Sequence, residues 1–313
     1  MTGASDPFHR VLVDCLGVSG GEDLLVISDP ARLEIARALV DAGNDLGAET
    51  VLATMSERAS NGSEPPRHVA AAMLACDVFV APTTKSLSHT EARRAASEKG
   101  VRGATMPGIT RVMLERTMSA DPEKLRARSA AVARALTDGD EVHVTSEEGT
   151  DVTFLIRGRS AIADDGDLRA PDSFGNLPAG EGFIAPVEGA TRGRIVFDGA
   201  QAMFGGPVVA TIEQGYASKL DGDGGPKLQG LLEPHGREAF AVAELGIGTN
   251  EAARLTGSVL EDEKIMGTIH VAFGDNHSFG GTVRVSSHMD CVVLRPTVSI
   301  DGRTIVERGQ LLV

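Results

Sequence analysis

The sequence has no tryptophan and a single tyrosine, Tyr216, so it lacks the aromatic platforms on which single-stranded nucleic acids stack. It is also short of basic residues. Thirty Lys and Arg against 44 Asp and Glu give a formal net charge of −14, which repels phosphate backbones and anionic lipid surfaces. Nucleic-acid and membrane partners are therefore not expected. Cysteine is limited to Cys15, Cys76 and Cys291, an odd number without a CxxC spacing, which argues for a reducing compartment and against a disulfide framework. No stretch of about 18 apolar residues occurs, and the first residues, MTGASDPFHRVLVDCLG, lack a basic segment followed by an apolar core. A cytoplasmic protein is the expectation. Neither GxGxxG nor GxxxxGK[ST] is present, which disfavours a dinucleotide and a P-loop nucleotide.

At 313 residues the chain is long for one core, and its pattern changes near residue 120. In residues 1–120, buried-strand runs such as Asp23–Ser28, Thr50–Met55, Asp77–Ala81 and Val101–Thr105 alternate with helical spacing over 32–46, 68–76 and 90–99. This rhythm predicts an α/β, Rossmann-like domain without the dinucleotide fingerprint, its parallel sheet covered by helices on both faces. The polar loop Pro82–Ser86 follows a strand and is a candidate to face a ligand, although such loops are more often plain surface. A helix over 121–136 opens residues 121–313, where strands at 141–146, 152–157, 193–198, 207–212 and 216–220 are punctuated by Gly and Asp. Short helices are expected at 225–232 and 250–255, and strands at 297–300 and 304–306. This half reads as a mainly antiparallel β, α+β catalytic domain.

The chemistry concentrates between Glu261 and Leu294. Three of the eight histidines, His270, His277 and His288, fall there, with Asp290 two positions beyond the last. Residues 268–273 and 283–294 read as strands joined by a glycine-rich connection, Gly274 to Gly281. In an extended strand residues i and i+2 share a face, so His288 and Asp290 can reach one ion together. Imidazole and carboxylate without cysteine suit a divalent cation more than a structural zinc site. A lone His-x-Asp is more often an ordinary hydrogen-bonded pair. The upstream His270 and the glycine-rich loop shift the balance toward a metal. Two glutamates stand in unusual surroundings: Glu181 in NLPAGEGFIAP and Glu244 in AELGIGTN.

These two segments, followed by DEKIMGTIHVAFG and SSHMD in this order, resemble the motif series of the aminopeptidase T and aminopeptidase S family of metallopeptidases. The resemblance spans about Asn176 to Asp290. It implies a homodimer whose catalytic domain holds two divalent ions, zinc, cobalt or manganese, with Glu181, Glu244, His270, His288 and Asp290 as ligands and Glu244 bridging. The two ions would activate a water for attack on the amide of a small-molecule or peptide substrate, with Glu181 or Glu263 as general base. Aligned without a gap, His277 stands where that family carries a further tyrosine, which makes His277 a candidate catalytic residue. The His270–His288 connection and the whole chain are shorter than in those aminopeptidases. Both differences bring the chain closer to a sister group, 2,5-dihydroxypyridine 5,6-dioxygenase, which is similar to this family and holds one iron(II) with a His, His-x-Asp set. A metallo-aminopeptidase is the first expectation and an iron(II) ring-cleaving dioxygenase the alternative. A non-catalytic binding protein is the third.

Overall fold

The computed structural model describes residues 6–313, and the chain divides into two compact units. The first is made of residues up to 122 together with 166–179, and the second of 123–165 and 180–313. A stretch of fourteen residues beyond position 165 thus returns to the first unit before the chain completes the second.

The first unit is built on a five-stranded sheet in the order Glu49–Thr54, Asp23–Ser28, Val78–Ala81, Arg102–Thr105, Phe174–Asn176, every neighbouring pair parallel. The apolar runs that predict buried strands do form them, since parallel strands covered on both faces read as continuous hydrophobic stretches. Asp29 ends the first strand and caps the following helix, its Oδ1 accepting from the Ala31 N–H at 3.2 Å. Thr90 caps Glu91–Glu98 in the same way. A further helix, Arg111–Thr117, lies where the sequence pattern was silent. In the Pro82–Ser86 loop, Thr84 donates from both its N–H and its hydroxyl to Asp29.

The second unit holds two antiparallel sheets. One has eight strands and contains the Glu141–Thr145 and Asp151–Leu155 hairpin together with Thr297–Ile300 and Arg303–Glu307. The other has five, in the order His288–Val293, Ile269–Gly274, Val242–Gly248, Glu181–Ile184, Ile162–Asp164. A single buried cluster draws on both sheets and on the helix Pro122–Asp138 through Val132 and Leu136. The α/β first half and antiparallel second half are as expected from the sequence. No helix among the described residues is long and apolar enough to cross a membrane.

Two expected elements differ. Residues 250–255 form no helix. The Asn250 N–H donates to the Lys264 carbonyl, the Asn250 carbonyl accepts from Met266, and Arg254, Thr256 and Gly257 donate to the carboxylates of Glu261 and Asp262. Backbone groups held by those partners are withdrawn from a helical ladder. The short helix lies later, at Val259–Asp262. The expected strand over 283–294 is shorter, at His288–Val293. The N–H groups of Val283 and Val285 donate instead to the side chains of Asn276 and Asp275.

Candidate metal centre

The five-stranded sheet of the second unit has two chemically different faces. Ile184, Leu245, Ile247, Ile269, Val271, Phe273, Cys291 and Val293 enter the hydrophobic core. The residues between them point the other way and carry the polar groups: Glu181, Glu244, His270, His288 and Asp290. Register then brings these together across strands. Glu244 is opposite Ala272, which is opposite Asp290. Gly246 is opposite His270, and Gly248 is opposite Glu181, whose other neighbour is Asp164.

The glycines make room for this. A Cβ on Gly246 would fall 2.1 Å from the His270 ring, so the ring lies flat across that position and reaches the neighbouring carboxylates. Its Nε2 is 3.1 Å from Glu181 Oε2 and 3.1 Å from Glu244 Oε1. The other oxygen of Glu244 is 3.5 Å from His288 Nε2, which also lies 3.5 Å from Asp290 Oδ1. The Nδ1 of His288 is bonded to the Asp275 carbonyl at 2.7 Å, which orients the ring with Nε2 toward the carboxylates. A Cβ on Gly248 would meet the Ile265 carbonyl at 2.0 Å, so the strand accepts residues 264–265 against its face. That brings in Lys264, fully buried, with Nζ 2.5 Å from Glu181, 2.9 Å from Glu263 and 3.1 Å from Asp164.

Among the described residues three groups offer ligand atoms within 4.8 Å of one another: Glu181, Glu244 and His270; Glu244, His288 and Asp290; Glu263, His270 and Asp290. Glu244 is shared by the first two. Six of the seven candidates from the sequence are therefore gathered in one place. The seventh, His277, is in none of the groups. It is exposed on a short turn, where its Nε2 takes a hydrogen bond from the Arg284 guanidinium. Lys264 and Asp164 belong to the centre and were not singled out by sequence reasoning. Lys264 was visible only as the residue after Glu263 in the DEKIMG block.

The donor set fits a divalent cation. Glu181, Glu244, Glu263, Asp290 and Asp164 bring five carboxylates to one interior with a single lysine between them, and buried negative charge in excess calls for a cation or for protons. His270 Nδ1 is buried without a hydrogen-bond partner, and Glu181 Oε2 has the His270 Nε2 at 3.1 Å but no well-directed hydrogen bond. Without metal the charge imbalance falls on protons. Burial disfavours the charged form of His288, but Asp290 and Glu244 outweigh it and raise its pKa to about 10. Burial likewise opposes protonation of His270, and Glu181 and Glu244 carry it well above the ordinary value. Burial pushes Glu263 up to about 8 against the pull of Lys264. Asp290 goes the other way, since its desolvation is outweighed by His288 and its pKa falls to about 2.

A pH dependence follows. His288 and Glu263 both bind their protons more tightly when folded than at their ordinary values of 6.5 and 4.5. Stability from such groups is complete below the unfolded pKa and is lost as pH rises through the folded one. The metal-free protein is therefore expected to lose stability between about pH 6.5 and 10, with Glu263 contributing from about pH 4.5 to 8. Thermal melts in chelator at pH 6.5 and 9.5 check this, and an equal or higher Tm at 9.5 would refute it.

The family model for NicX, 2,5-dihydroxypyridine 5,6-dioxygenase, matches residues 4–313. The chain belongs to the NicX family. Two solved structures carry the same fold. The 2,5-dihydroxypyridine dioxygenase of Pseudomonas putida KT2440 is 18% identical, with a TM-score of 0.84 over 98% of this chain and 96% of that one. AmpT from Thermus thermophilus is 16% identical, with a TM-score of 0.72 over 98% of this chain and 99% of that one. No curated protein sequence matches the chain directly. Both families named from the sequence motifs are thus met again, and membership in the NicX family makes the chain a relative of enzymes.

Proposed function

We propose that this NicX-family chain is an iron(II)-dependent dioxygenase that opens the ring of a hydroxypyridine. The observation that carries the reading is the family match over residues 4–313, joined to a His270, His288 and Asp290 set on one sheet face. Two histidines and one carboxylate that leave other positions free are the expected ligands of non-haem iron in oxygen chemistry. Those three residues would hold the ion once the His270 and His288 rings approach each other, since each lies in a different ligand group and none of the groups contains both. Bound there, iron(II) supplies the oxygen chemistry that cleaves an electron-rich ring.

The chain's own groups do the rest. Glu244, between the two histidines, orients both rings. Lys264 holds one oxygen each of Glu181 and Glu263, and the other oxygen of Glu181 faces His270. Glu263, buried against Lys264 and within reach of the His270 and Asp290 ligand atoms, is placed to take or return a proton at a ring hydroxyl.

One observation favours a second reading, the dinuclear aminopeptidase. Glu244 directs its two oxygens at two different histidines and is common to two ligand groups, as a bridging carboxylate would be. Metal analysis after anaerobic reconstitution separates the two. The dioxygenase reading expects about one iron per chain, lost in His288→Ala, and oxygen uptake with 2,5-dihydroxypyridine. Two ions per chain, lost together in Glu244→Gln, with hydrolysis of an aminoacyl amide and no oxygen uptake, would replace it with the hydrolase.

A further inference from the structure

Phe183 follows Glu181 by two residues on one strand, so both side chains leave the same face of the sheet. Phe183 is also the cross-strand partner of Gly246, whose other neighbour is His270. Phe279 closes the short turn His277–Phe279. Its ring meets the His288 ring edge-on, with centroids 5.8 Å apart and an interplanar angle of 87°, and meets Phe183 at 5.6 Å and 76°. Three rings therefore run in a chain of edge-to-face contacts from the outside of the centre to one of its histidines. Phe183 and Phe279 are only half-buried, whereas Phe79, Phe154, Phe197 and Phe273 are fully buried.

The turn that carries Phe279 is held from several sides. Asn276 is fully buried, its Oδ1 accepts from the Val283 N–H at 2.8 Å, and its Nδ2 donates to Glu188 at 3.3 Å. Glu188 also accepts from the Thr282 N–H at 2.7 Å and pairs with Arg159, which donates to the Gly280 carbonyl. Gly281 is required here, because a Cβ on it would fall 1.9 Å from the Asn276 amide. The aromatic wall is thus fixed before any ligand arrives, and rigid aromatic surface binds at low entropic cost. Apolar ring surface left half-open beside a cluster of carboxylates and imidazoles matches an occupant with apolar faces and a polar edge.

We infer that Phe183 and Phe279 form the surface on which a planar hydroxylated N-heteroaromatic lies, and that these two rings set the substrate class of the centre. The inference rests on the dioxygenase reading. An extended peptide terminus offers no plane to match them, and an aliphatic chain would gain nothing from a ring over a leucine of similar size.

The test measures the anaerobic affinity of the iron-reconstituted protein for 2,5-dihydroxypyridine by titration, with iron content and oxygen uptake recorded on the same samples. Phe279→Leu and Phe183→Leu keep apolar bulk and remove the aromatic face. Each is expected to raise Kd about five- to tenfold at unchanged iron per chain, and Phe279→Tyr to stay near the parent value. Parental Kd in both leucine variants would overturn the inference while leaving the dioxygenase intact. A parent protein that neither binds the dihydroxypyridine nor consumes oxygen would overturn the dioxygenase reading and this inference with it.

Discussion

Replacing Lys264 by methionine is expected to destabilise the metal-free protein by about 3–5 kcal/mol, the usual result of deleting one partner from a buried ionic cluster. The ammonium is fully buried and touches Asp164, Glu181 and Glu263 at once. Methionine fills most of the volume, so the loss is electrostatic more than steric. Three carboxylates would then share an interior with no lysine between them, leaving the protonated His270 ring beside Glu181 as compensation. Protonation relieves part of this, because burial already raises Asp164 to about 6 and Glu263 to about 8. The penalty should therefore be smaller at pH 5 than at pH 8.5, where those protons are gone. Urea unfolding in chelator at the two pH values measures it. A Lys264→Met protein within about 1 kcal/mol of the parent at pH 8.5 would mean that the carboxylates are neutralised by something other than Lys264. Saturating divalent metal should return part of the loss by binding only the folded state.

Much of this centre was legible because a strand repeats every two residues. Ile269-His270-Val271 and His288-Met289-Asp290 alternate between core and site, and both strands place their polar residues where the alternation puts them. Glu181 and Glu244 were found through unusual glycine-rich surroundings. Near Glu244 those glycines, Gly246 and Gly248, prove to be the positions over which His270 and residues 264–265 lie, while Gly180 and Gly182 beside Glu181 face Asn250 and Val132. What escaped was the part decided by chain segments distant in sequence. Phe174–Asn176 joins the parallel sheet with three residues and no apolar alternation, so nothing local marks it as a strand. Lys264 gives no sign of burial in sequence, since lysine is ordinarily exposed and only the convergence of Asp164, Glu181 and Glu263 keeps it inside. The failed helix at 250–255 has a related origin, because the Asn250 backbone is held by Lys264 and Met266 and the Arg254 N–H by Glu261. His277 carried the pattern of a site residue, yet its turn directs the ring outward to Arg284.

The cross-strand pair Gly246 and His270 offers a second large effect that removes no ligand atom. Gly246 has ordinary extended backbone in the middle of a strand, so an alanine there brings no conformational strain of its own. Its Cβ, however, would sit 2.1 Å from both Cε1 and Nε2 of the His270 ring. The ring is fully buried, with the core strand beneath it, and cannot yield without leaving Glu181 and Glu244. Gly246→Ala is therefore expected to weaken metal binding by about 10–100-fold, the range seen when the support of a ligating histidine is removed. The comparison is Gly230→Ala, on a helix where an added Cβ meets nothing within 4 Å. Competition with a chelator of known affinity reads out both proteins. If the two alanine variants hold metal equally well, the ring of His270 does not lie over Gly246 in the metal-bound protein, and the site must be drawn with the imidazole turned elsewhere. A weakened Gly246→Ala beside an unaffected Gly230→Ala would tie the metal affinity to the one glycine that lets an imidazole cross the strand.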